Sequence, residues 1–118
     1  MKDFPTGACG DTSLLFGALL ADNGINGFSY IYGYRGNVHE QTSQTHAWLQ
    51  RGNLIVDLTA DQFPDAPPEF IAEEDSVWHR AFRTDVPTSS DFRNVRGANG
   101  LAKPYRLIIE SMRNSVAT

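Results

Sequence analysis

The fold turns on HAWLQRGNLIVDLT, residues 46–59. Two runs of apolar and β-favouring residues, HAWLQ and LIVDLT, flank Arg51-Gly52-Asn53, the pattern of a tight β-hairpin. Side chains alternate faces along each strand, so the turn sets which of them meet. With Arg51-Gly52 as the turn, His46 stands directly opposite Asp57. With Gly52-Asn53 as the turn, His46 faces Thr59 and Asp57 lies diagonal to it. Either register puts His46 and Asp57 on one face, and only a three-residue loop would part them. The opposite face carries Ala47, Leu49, Leu54, Val56 and Leu58, an apolar core face that favours a two-residue turn.

The flanking segments supply the other elements. FSYIYGYR, residues 28–35, is aromatic and alternating, hence a strand, with Tyr30, Tyr32 and Tyr34 on one face to pack on a helix or line a cleft. GNVHEQTSQ is a polar loop. From Cys9 to Asp22 the apolar spacing is helical; Asp11, Thr12 and Ser13 suit a first turn, and Asn23-Gly24 is a natural stop. Gly17 weakens that helix unless something packs closely there. After the hairpin, DQFPDAPPE is a Pro-rich turn, EFIAEEDSV a short edge strand, and WHRAF a turn or scrap of helix. Residues 83–103 are loop-like, and YRLIIESMRNS suits a strand or a short helix. The expectation is one α+β domain over residues 1–118, an N-terminal helix packed on a mainly antiparallel sheet.

Composition narrows the function. The 118 residues carry a formal net charge of -4, which argues against a nucleic-acid face. Arg80, Arg83, Arg93, Arg96 and Lys103 form a loose basic cluster, read as solvated surface or a minor substrate contact. The acidic run Glu73, Glu74 and Asp75 reads as a solvated edge guarding a strand. No apolar stretch approaches a membrane span, and MKDFPTGACG lacks the apolar core of a signal peptide. One cysteine closes no internal disulfide, and the expected location is cytoplasmic.

A carboxylate beside an imidazole fixes which ring nitrogen carries the proton and stabilises the imidazolium, so the other nitrogen can take a proton from a nucleophile. The plain alternative is a pair that merely decorates the sheet. The lone cysteine, in TGACGDTSLL (residues 6–15), stands where a helix begins. A helix N-terminus beside an imidazolium is where a thiol pKa falls from its free value near ~8.5. Gly7 and Gly10 leave room for a carbonyl, and the N–H groups of Cys9 and Gly10 suit an oxyanion. A buried structural cysteine is the competing reading, but Gly-Ala-Cys-Gly-Asp is a poor core sequence.

CGDTSLLFGALL from Cys9, HAW from His46 and VDLT ending at Thr59 together resemble the transglutaminase-like group of the papain-like cysteine hydrolases. Small bacterial members are similar too, among them peptidases that trim leaders from lasso-peptide precursors. The resemblance covers about the first half of the chain. It implies a transglutaminase-like core with Cys9 as nucleophile, His46 as general base and then acid, and Asp57 as the orienting carboxylate. Papain-type enzymes carry a glutamine just before the cysteine as oxyanion donor; Asp3, Phe4 and Pro5 stand there instead. The second donor must come from elsewhere, and Gln41, Gln44, Gln62, Trp48 and Trp78 are the candidates. Trp48 shares the face of His46 as a shield or an acyl-group wall. Asp61-Gln62-Phe63 is a plain turn or a support for Asp57. His39 and His79 occupy loop or edge contexts, and with Cys9 and His46 they show no zinc-ligand spacing, so no metal and no cofactor is expected.

The expected function is a thiol-dependent hydrolase or acyltransferase acting on a peptide or carboxamide bond of a peptide or protein substrate through a thioester. The alternatives are a non-catalytic binding module on the same scaffold, or a toxin or effector domain with the same chemistry.

Overall fold

A computed structural model of the chain describes residues 9–40, 42–60, 63–66 and 71–117. Helix α1 spans Cys9–Asp22, with Asp11 in its first turn, where a carboxylate meets the positive end of the helix dipole. It stops at Asn23-Gly24 as the sequence indicates. Ile25 N–H reaches back to the Leu20 carbonyl (2.9 Å) and Gly24 N–H to that of Ala21 (3.1 Å), which satisfies carbonyls that a helix end leaves open. Gly17 has its reason in packing: a Cβ there would lie 1.8 Å from the Ser90 carbonyl oxygen.

The strands follow as β1 (Ser29–Arg35), β2 (Gln44–Arg51), β3 (Leu54–Asp57), β4 (Ile71–Glu74), β5 (Arg83–Thr84) and β6 (Thr88–Ser89). They form one sheet in the order β4-β3-β2-β1-β5, with β6 also on β1, and every pairing between described strands is antiparallel. Helix α2 (Val77–Arg80) joins β4 to β5, and α3 (Ala102–Ala117) closes the chain. The class is α+β. The first three residues of WHRAF thus belong to the short helix α2, with Ala81 as its C-cap, and YRLIIESMRNS lies within α3. Single-turn 3-10 helices occur at Val38–Glu40, Phe92–Asn94 and Asn99–Leu101.

The hairpin turn is Gly52-Asn53. Leu49 pairs with Val56, Gln50 with Ile55 and Arg51 with Leu54. Gly52 has φ of 59°, the left-handed value that a two-residue hairpin of this hand requires at its first position. Of the two registers open in the sequence, this is the diagonal one.

Both faces of the sheet are covered. Over β1 and β2 lies α1, whose Leu14 and Ala18 pack with Phe92, Tyr105 and the half-buried Tyr30. Ala47 and Leu49 are buried on that side, while Leu54 and Val56 beyond are half-buried and Leu58 is 36% exposed. The apolar face of the hairpin is therefore core only where the helix reaches it. Tyr105 anchors α3 by donating its hydroxyl to Asp22, which also pairs with Arg93. Arg93 hydrogen-bonds Asp22 and holds its carboxyl below the usual range, with Tyr105 adding to the effect. Arg80, Arg83, Arg93, Arg96 and Lys103 are all exposed, as are Glu73 and Glu74 on the edge strand β4. On the second face, Ile31, Trp48, Ile55 and Phe82 form another core against Trp78. No helix among the described residues is long and apolar enough to cross a membrane.

Candidate active site

His46 and Asp57 meet on the second face, away from the layer where α1 lies. The diagonal register brings His46 Nε2 to 2.6 Å from Asp57 Oδ2, and the two residues are 0% and 1% exposed. On β1, Gly33 is the partner of His46 and leaves room for the Trp48 ring, from which a Cβ would lie 2.8 Å. Trp48, Phe63, Trp78 and Phe82 surround the imidazole, with ring centroids 5.1 to 6.2 Å away. Arg35 lies across the outside of this box. Its guanidinium lies 4.7 Å from the Phe82 ring centroid and 5.1 Å from that of Trp78, and it makes two 2.9 Å bonds to Asp65.

A third ionisable residue joins the pair. His79 on α2 places Nε2 2.6 Å from the same Asp57 oxygen, and its Nδ1 lies 2.6 Å from Ser76 Oγ. Ser76 is the N-cap of α2, its hydroxyl also accepting the His79 backbone N–H at 3.3 Å. His79 and Ser76 are each 2% exposed. The remaining Asp57 oxygen accepts the Thr59 N–H at 3.0 Å.

Burial works against the charge on Asp57, but hydrogen bonds from His46 and then His79 outweigh it and hold the carboxyl below its ordinary value. Asp57 is thus an ionised, acceptor-only group, and each Nε2 beside it must carry the proton. On His46 this leaves Nδ1 as the nitrogen that would exchange a proton with a nucleophile. On a neutral His79 it makes Nδ1 the acceptor of the Ser76 hydroxyl.

His46, Asp57 and His79 are also the described residues best placed to hold a metal ion, with donor atoms within 4.8 Å of one another. Their geometry suits protons better. Ligands at about 2.0–2.1 Å around a tetrahedral ion stand roughly 3.3 Å apart. The 2.6 Å contacts here are hydrogen-bond distances, well inside that spacing.

Cys9 enters through its helix. The β2–β3 ladder pairs only Leu49–Arg51 of β2, so the earlier part of β2 runs on without β3. There Ser13, in the turn of α1 that follows Cys9, donates its hydroxyl to the carbonyl of Ala47, the neighbour of His46, at 3.5 Å. The backbone of Cys9 opens α1; its side chain, like Gln41 and Gln62 as a whole, lies outside the described residues. Gly10 stands in the first turn, close enough to Tyr30 that a Cβ would come 2.9 Å from its hydroxyl. Tyr30 is therefore a polar group at the helix start, a position that reading the tyrosines as packing or cleft wall did not single out.

Other expected residues have other tasks. The Trp48 indole N–H donates to Gln50 at 3.0 Å, and Gln44 accepts from Arg35 at 2.8 Å. Trp78 packs against His46 as part of the box. His39 is exposed on the Val38–Glu40 turn, whereas His79, expected in a loop or edge, is buried in the site. Comparison with protein-family models, with curated proteins and with solved structures returned no match.

Proposed function

We propose that the chain is a thiol-dependent hydrolase or acyltransferase of transglutaminase-like type acting on a peptide or carboxamide bond. The observation that supports this reading is the buried His46–Asp57 pair, on the strand whose other face receives the first turns of the Cys9 helix. Cys9 is the nucleophile. His46 takes the thiol proton through Nδ1 while Asp57, on Nε2, stabilises the imidazolium. The thiolate attacks the carbonyl, and N–H groups at the start of α1, Gly10 among them, face the developing oxyanion. Collapse of the tetrahedral adduct breaks the C–N bond, the leaving amine takes the proton from His46, and a thioester remains. Water or an amine then resolves it, with His46 again the base.

A second reading has its own observation. His46 is fully buried in an aromatic box, which also suits a pair that braces a non-catalytic binding module. Alkylation of Cys9 by iodoacetamide across pH separates the two. Catalysis predicts a fast rate that extends below neutral pH and is lost in His46→Ala. A rate that rises only near ~8.5, the free-thiol value, rejects the catalytic reading.

A further inference from the structure

A single donor on Asp57 would suffice to orient His46, yet the same oxygen receives two. The second comes from a different element, and that element carries its own lock. His79 is fixed from three sides: Nε2 on Asp57 (2.6 Å), Nδ1 on Ser76 (2.6 Å), and ring edges of Trp48 and Trp78 with centroids 4.7 and 4.8 Å away. The four-residue helix α2 is capped by the hydroxyl that holds the imidazole. Ser76, His79, Asp57 and His46 thus form one continuous buried chain of hydrogen bonds.

We propose that His79, locked by Ser76, is a positioning residue that fixes the Asp57 oxygen on which His46 depends. The proposal rests on the thiol-catalysis reading. Donors from β2 and α2, with Thr59 N–H on the other oxygen, hold the carboxylate against rotation from three directions. Ser76 Oγ, 2.6 Å from Nδ1, holds the far side of the His79 ring. The arm therefore keeps the carboxylate aimed. A metal between the two imidazoles would need the 2.6 Å contacts to open, which the shared protons do not.

The test uses the whole chain, with iodoacetamide as probe of Cys9 and 15N spectra of the imidazoles as a readout independent of reactivity. In His79→Gln the amide N–H stands in for Nε2–H; His79→Leu has no donor. The expected result is at least about a tenfold slower alkylation at pH 7 in His79→Leu, with His79→Gln within about threefold of wild type. Wild-type spectra are expected to show both imidazoles protonated on Nε2. Equal slowing in Leu and Gln, or none in either, overturns the proposal. So does a wild-type spectrum with no proton on His79 Nε2, which decides the matter even if the Leu variant does not fold. Wild-type Cys9 reacting no faster than an ordinary thiol sinks the catalytic reading, and this role with it. That failure is visible in wild type alone and so is distinct from a failure of His79.

Discussion

Asp57→Ala and Asp57→Asn separate what this carboxylate does for stability from what it does for His46. In Asp57→Ala, three N–H donors buried with it, from His46, His79 and Thr59, lose their acceptor. Hydrogen bonds to a charged group contribute about 1.5–3 kcal/mol each, a ceiling of roughly 5–9 kcal/mol for the three. Water entering the space, and imidazoles that shift tautomer, recover part of this. The expected loss is about 3–5 kcal/mol, the range found when one partner of a buried pair is removed. For a domain of this size that lowers Tm by roughly 10–20 °C. Asp57→Asn keeps the shape. Thr59 N–H holds the amide oxygen, so the amide nitrogen faces both Nε2 atoms and donates to them. Both imidazoles must then move their protons to Nδ1, where His79 can donate to Ser76. The expected cost is only about 1–2 kcal/mol. Yet His46 now presents N–H where a thiol proton should go, and activated alkylation of Cys9 is lost. Urea melts and iodoacetamide rates on the same samples check both halves. If Asp57→Ala melts within about 1 kcal/mol of wild type, the buried network is not what holds this face together.

Gly17→Ala, a change that favours an isolated helix, is expected to destabilise by about 2–4 kcal/mol because the new Cβ meets backbone at Ser90; a neutral or stabilising result in a thermal melt refutes the close approach. Acid should weaken the fold through Asp57. Its folded pKa lies below the ordinary value, so its stabilisation is present above about pH 4 and is lost as pH falls through the folded value. The wild-type stability curve should therefore fall more steeply below pH 4 than that of Asp57→Asn, and parallel curves would contradict it. Arg35→Ala removes the cation over the aromatic box and the ion pair with Asp65. We expect a loss of about 1–2 kcal/mol and faster fluorescence quenching of Trp78 by acrylamide, while unchanged quenching would show that Arg35 does not close the box.

Local chemistry made most of the fold legible. The hairpin, the strand at residues 29–35 and the helix at 9–22 each carry their own period and their own stop, and those survive tertiary packing. The register was narrowed to two choices by the turn, and Gly52 at φ of 59° selected one. The C-terminal segment resisted because Tyr105-Arg-Leu-Ile-Ile suits a strand as well as a helix. What decides it is distant: Tyr105 is buried against α1 and held by Asp22, while Leu107, Ile108 and Met112 on the same helix are 40–54% exposed. Strand-like composition there is overridden by one anchoring aromatic.

The site divides in the same way. His46 and Asp57 could be paired from sequence because a two-residue turn leaves little freedom between them. His79 lies 22 residues beyond Asp57, past a Pro-rich turn, and no local period links the two. One signal was present. Ser76 stands three residues before His79, the spacing of an N-cap to the N–H it accepts, and Trp78 and Phe82 at i, i+4 show that the segment buries an apolar side. A polar ring on a capped, buried turn needs a partner for each nitrogen, and a buried carboxylate on the sheet, here Asp57, has lone pairs for a second donor beside His46. That same reasoning ties stability to chemistry here. The three donors that make a buried carboxylate tolerable are the ones that set the tautomer of His46, so the network cannot be loosened on one count without being loosened on the other.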